Sequence, residues 1–76
     1  LIEKDLKIMQ EIYEYCEITV ADDVKNKAYS VFIVGCHPEL GVVNVDFTGF
    51  VSRSGALNYA KEWIDLEVEK LTMIKQ

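Results

Sequence analysis

The sequence predicts an α+β domain in the order αβββα: a three-stranded antiparallel meander sheet with two helices packed on one face. Three observations predict it. Apolar residues recur with helical spacing at both ends of the chain, they alternate singly through the middle, and two short turns divide that middle into three. The chain has 76 residues, which is one small domain, 1–76, and no second one.

The first element is read from spacing. Ile2, Leu6, Met9, Tyr13 and Cys16 follow one another at four, three, four and three residues, and Ile8 and Ile12 widen the stripe. Glu3, Lys7, Glu11 and Glu14 take the opposite face, with Glu3 and Lys7 an i, i+4 pair in the favourable order. No Gly or Pro interrupts Leu1 to Glu17, so the spacing predicts a helix over about 2–16.

From Ile18 the pattern becomes single alternation. Ile18, Val20 and Val24 alternate with polar and small residues up to a turn at Lys25-Asn26-Lys27. Tyr29, Val31 and Ile33 begin the second strand, and His37-Pro38-Glu39-Leu40-Gly41 forms the second turn, with the only proline. Val43, Val45 and Phe47 continue the third strand. A five-residue second loop pairs Cys36 with Val42, Ile33 with Val45 and Val31 with Phe47, and these read as one apolar face. Val34 with Asn44 and Phe32 with Asp46 then form a mixed face. In the first hairpin a three-residue turn would put Ile18 and Val20 on the mixed face. A four-residue turn, Lys25 to Ala28, puts Ile18, Val20 and Val24 with Ile33 and is preferred.

The last element opens at Ser52 or Ser54, either of which suits an N-cap. Leu57, Ala60, Ile64, Val68, Leu71 and Ile74 form its apolar stripe, with Ala56 and Trp63 beside it; Glu62, Asp65 and Glu69 lie on the other side. The predicted core joins Ile33, Val45, Phe47, Leu6, Met9, Ile64 and Ala60. A helix over 54–75 is roughly 33 Å long, whereas a globule of this size is only about 30 Å across. Its end, with Leu71, Met73 and Ile74, should overhang the sheet, while Phe32 and Val34 face outward from it. Two such apolar patches predict a two-fold homodimer that uses the helix end, with the sheet face or the first helix as the other contact.

Chemistry is sparse. Lys and Arg number 8 against 13 Asp and Glu, a net charge of −5, and Arg53 is the only arginine. That balance argues against direct nucleic-acid binding. No apolar run has the roughly 18–20 residues of a membrane helix. Charges at Glu3, Lys4 and Asp5 do not read as a signal peptide, although Leu1 rather than Met stands first, which leaves a removed leader open. Cys16 and Cys36 make no disulfide framework and read as reduced thiols of a cytoplasmic protein, a single bridge between them being the alternative. Cys36-His37-Pro38-Glu39 holds a thiol, an imidazole and a carboxylate. Adjacent residues at a strand end point apart, so the run reads as a small buried thiol beside a solvated turn histidine, not as a zinc site or a nucleophile with its base. Ser52-Arg53-Ser54-Gly55 supplies the groups of an anion site, but an ordinary N-cap needs the same ones. No phosphate-binding glycine motif is present.

The order αβββα resembles that of double-stranded-RNA-binding domains. Those domains present lysines at the start of their second helix, where this chain reads Gly55-Ala56-Leu57-Asn58-Tyr59-Ala60-Lys61-Glu62. The order is also similar to that of some small acidic phage proteins that inhibit host enzymes by imitating DNA. The expectation is a small acidic, non-enzymatic protein-interaction module, with no catalytic, cofactor or metal residues, that binds a protein partner and itself. Its candidate contact residues are Phe32, Val34, Glu62, Asp65, Glu69, Leu71, Met73 and Ile74. The competing expectation is an acidic inhibitor of a nucleic-acid enzyme, as a phage or mobile element would encode.

Overall fold

A computed structural model describes residues 9–75, with side chains to residue 73. Strands β1 (Met9–Tyr13), β2 (Cys16–Asp23), β3 (Ala28–His37) and β4 (Gly41–Phe50) precede helix α1 (Arg53–Lys75). The strands form one antiparallel sheet in the order β1-β2-β3-β4. The helix crosses one face of it, above β2 and β3.

The α+β class and the antiparallel meander hold, but the described residues form four strands and one helix, not three and two. The helix expected over 2–16 is a strand and a turn from Met9 onward, and 2–8, with Ile2 and Leu6, lies outside the described residues. The reason is local. Glu14 and Tyr15 take left-handed backbone, φ 48° and 72°, which reverses the chain in two residues. Tyr13 then faces Cys16, so two residues that would share a helix face form a cross-strand pair instead. Ile12, which widened the helical stripe, points away from the core and is 77% exposed. Among the described residues a strand, Met9–Tyr13, stands in place of a first helix, and the element-order likeness to RNA-binding domains lapses there.

The second hairpin has the expected register, with Val31 opposite Phe47, Ile33 opposite Val45 and Cys36 opposite Val42. One face assignment is corrected. Cys36 and Val42 each stand three residues from Ile33 and Val45, so they point to the opposite face, beside Phe32 and Val34. In the first hairpin Ile18 faces Ile33 and Val20 faces Val31, as a four-residue turn requires. That turn is Val24 to Lys27, one residue earlier than expected. It keeps Ile18 and Val20 in the core and leaves Val24 79% exposed. The Asp23 carboxylate steadies it by accepting from the Asn26 amide at 3.3 Å and the Asn26 side chain at 2.8 Å.

The inner face stacks in rows. Tyr13, Cys16, Gly35 and Val43 form one, Glu11, Ile18, Ile33 and Val45 the next, and Met9, Val20, Val31 and Phe47 the third. Helix residues Ala56, Ala60 and Ile64 close this core from above, the two alanines letting the helix axis approach the sheet. Of the predicted core, Ile33, Ala60 and Ile64 are buried, and Val45 and Phe47 are half-buried against it. Met9 is 38% exposed at the outer strand. Ser52 caps the helix, its Oγ accepting from the Gly55 amide at 3.0 Å. At 23 residues the helix is about 34 Å long. Asp65 already meets Tyr13 at the end of β1, so the last ten residues run on past the β1–β2 turn.

Candidate interaction surface

The face of the sheet away from α1 carries Gln10 and Ile12 from β1, Glu17, Thr19 and Ala21 from β2, Phe32, Val34 and Cys36 from β3, and Val42, Asn44, Asp46 and Thr48 from β4. Register builds it in rows: Ile12-Glu17-Val34-Asn44 beside Gln10-Thr19-Phe32-Asp46, with Cys36-Val42 at one end. Phe32 is 41% exposed, Val34 49% and Val42 83%, so an apolar strip runs along β3 to the start of β4, with Ile12 set apart from it by Glu17 on β2. Its described charged neighbours, Glu17, Asp23 and Asp46, are all carboxylates; no described strand residue on this face is a cation.

Phe32 and Val34 therefore stand where the sequence places them, on the outer face. The other candidate residues are on α1, across the sheet. Glu62, Asp65 and Glu69 are exposed, Leu71 is half-buried, Met73 is 68% exposed, and the side chain of Ile74 lies outside the described residues. The eight do not converge on one site. Asp65 is also engaged inside the chain: the Tyr13 hydroxyl donates to both its oxygens at 3.0 Å. That bond, with partial desolvation and the nearby negative charge, pushes the Tyr13 phenol up to about 12. Lys61 lies beside the same ring and reaches Glu11 at 2.6 Å, which fastens α1 to β1. Glu62 lines a small pocket of about 70 Å³ with Tyr59, Trp63 and Leu66.

The cysteine–histidine run is corrected in both members. Cys36 is the exposed one and His37 the buried one, with 6% of its surface accessible. His37 shares the inward parity of Ile33 and Gly35. Its Nδ1 accepts the Glu39 amide at 3.0 Å and the Leu40 amide at 3.4 Å, and its ring meets Tyr15 edge-on at 5.5 Å between centroids. The imidazole is thus a tie between the β1–β2 and β3–β4 turns, facing away from the Cys36 thiol. Cys16 is fully buried on the inner face, and burial pushes its thiol up, away from nucleophilic use. The two cysteines lie on opposite faces and are both free. Among the described residues no three His, Cys, Asp or Glu side chains converge to hold a metal. No helix of the described residues is long and apolar enough to cross a membrane.

The anion reading of Ser52 to Gly55 loses its cation. Arg53 bonds to Asp22 at 3.3 Å and lies 5.3 Å over the Tyr29 ring. A groove of about 270 Å³ beside the β2–β3 turn, bordered by Asp22, Asp23, Lys27 and Tyr29, holds no nucleophile with a base. The outer-face residues that the sequence reading missed are Ile12, Cys36 and Val42. The signal for the last two was parity along β3 and β4; the signal for Ile12 was lost with β1. No protein-family model, curated protein or solved structure matches the chain.

Proposed function

We propose that the chain is a small acidic, non-enzymatic protein-interaction module that self-associates and offers the uncovered face of its sheet to a protein partner. The observation that carries this reading is the apolar strip of Phe32, Val34, Cys36 and Val42 on a face that α1 leaves open. An isolated exposed apolar side chain needs no explanation, but a contiguous strip rimmed by polar residues is the usual anatomy of a contact surface. The rim of Glu17, Asp23 and Asp46 suits a partner with an apolar centre and basic flanks. Self-association is supported by Leu66 and Met73, apolar side chains left exposed on the last ten residues of α1. Imitation of DNA charge has less support. Glu11, Asp22, Asp65 and Glu67 are each engaged by a Lys, Arg or Tyr of the same chain, which leaves fewer free carboxylates to form a phosphate-like array.

The test is capture from a cell extract on three immobilised proteins: wild type, Phe32→Ser/Val34→Thr and Glu62→Gln/Glu69→Gln. The reading expects a protein retained by the wild type and the helix variant and lost from the sheet variant. Retention by the sheet variant, with loss from the helix variant and in high salt, would instead establish charge mimicry.

A further inference from the structure

Strand β4 closes the sheet on one side, and among the described residues nothing pairs with its free edge. Such an edge presents a row of backbone donors and acceptors, which monomeric proteins blunt with lysine, proline, a bulge or a covering element. From Gly41 to Gly49, β4 has no Lys, Arg or Pro, and its one register shift lies at the far end, opposite Tyr29 and Ser30. The two glycines sit at φ 79° and 94° and bound the extended run between them. That run reads nearly the same in both directions about Val45. Asn44 matches Asp46, Val43 matches Phe47, Val42 matches Thr48, and Gly41 matches Gly49. A two-fold antiparallel pair needs this symmetry, because each residue must suit its mirror position on an identical strand.

We infer that β4 pairs antiparallel with β4 of a second copy about a two-fold axis at Val45, joining the two four-stranded sheets edge to edge. The inference rests on the self-association proposed above and names its seam. Directly opposed side chains of an antiparallel pair share a face, so the axis must pass through a residue and not between two; otherwise one sheet would be inverted. An axis at Asp46 would oppose two carboxylates, and one at Asn44 would set Val42 against Asp46 on the outer face. At Val45 the inner face pairs Val43 with Phe47 and Val45 with itself, and the outer face pairs Asn44 with Asp46, an amide against a carboxylate that it can donate to. The helix leaves room: Val45 and Phe47 are only half-buried, and Tyr59, whose ring packs on Phe47, is 42% exposed.

Sedimentation equilibrium of the full chain, with cross-linking in a Cys36→Ser background, tests the seam. Asn44 is exposed, so its variants keep the fold, which circular dichroism verifies. Two equivalent 44–46 contacts form per dimer. Asn44→Lys should tighten the dissociation constant and Asn44→Asp should loosen it, each by about 2- to 30-fold. A short bis-maleimide should link Val45→Cys to itself, and Asn44→Cys only to Asp46→Cys in mixed samples. A dimer indifferent to both Asn44 variants, with no Val45→Cys link, overturns this seam while leaving self-association through another surface. A monomer mass at about 100 μM overturns both.

Discussion

Replacing Gly35 with alanine tests where the first hairpin sits. Gly35 is an inward position of β3, opposite Cys16 and beneath the Glu14–Tyr15 turn. A Cβ there would lie 2.5 Å from the Tyr15 carbonyl oxygen and 2.7 Å from the Cys16 Cα, where ordinary contact begins at 3.4 Å. Both neighbours are backbone, so neither can rotate aside, and the turn they belong to holds two residues in the left-handed region. The chain must shift by most of an ångström or lose the Tyr13–Cys16 pairing. Overpacking of this kind costs about 1–3 kcal/mol. Against it stands the smaller unfolded-state entropy of alanine, a gain of about 0.4–1 kcal/mol. The clash wins by about 1–2 kcal/mol, which for a domain of this size lowers Tm by about 4–16 °C. Thermal melts and urea titrations followed by circular dichroism measure it, the urea midpoint falling with an unchanged m-value. Gly55→Ala is the control, because its Cβ would meet only the rotatable Ser52 hydroxyl, at 2.9 Å. It should stay within about 1 kcal/mol of wild type, as a helical alanine offsets a disturbed cap. Should Gly35→Ala equal or exceed wild type, the Glu14–Tyr15 turn does not press on β3 and the packing of β1 is wrong.

Two further outcomes are expected. The Tyr13 phenol, raised from its usual 10.0 to about 12, is an acid whose folded-state pKa exceeds its unfolded one. Its support for the fold is therefore complete below pH about 10 and lost as pH rises through about 12. Urea midpoints should fall across that window less steeply in Tyr13→Phe than in wild type, and superimposable profiles would contradict the Tyr13–Asp65 bond. A thiol reagent should modify Cys36 in the native protein and Cys16 only after unfolding, because one is exposed and the other fully buried. Two fast native thiols, or stoichiometric zinc that disappears in Cys36→Ser, would refute that assignment.

The parts of the fold legible in the sequence are those where two patterns agree. Alternation on both sides of His37–Gly41 places Ile33 against Val45 and Val31 against Phe47, since a one-residue slip would put Phe32 and Asp46 into the core. Of the helical stripe read from spacing, Ala60 and Ile64 are buried and Leu57 is half-buried, while Ala56, read as lying beside the stripe, is fully buried. Strand β1 is short, and its reversal at Glu14-Tyr15 uses no Gly, Asn or Asp, the residues that mark such turns. Ile12 compounds the error by being apolar at an exposed position. The candidate surface divides in the same way. Phe32 and Val34 follow from alternation alone, whereas the inward His37 and outward Cys36 follow only if parity is counted through to the strand end. Which helix carboxylates are free depends on β1, which brings Tyr13 to Asp65 and Glu11 to Lys61.

The surfaces left open follow from proportions. Strands spaced about 4.8 Å apart set β1 about 14 Å from β4, and a helix about 10 Å wide cannot cover that span. Seated over β2 and β3, α1 meets the two outer strands only through its flanks. The flanks differ in kind. Toward β1 the contacts are polar and directional, Lys61 with Glu11 and Asp65 with Tyr13. Toward β4 they are aromatic: Phe47 lies 5.1 Å from Tyr59 and 6.0 Å from Trp63, and Phe50 lies 5.1 Å from Tyr59, between ring centroids. A hydrogen-bonded flank already meets its groups' needs, whereas half-exposed aromatic rings still have apolar area to remove from water. The β4 side therefore offers what a second copy can use, unpaired backbone along the edge and apolar surface above it. Among the described residues the outer face is reached by neither flank, so pairing at that edge would leave it uncovered.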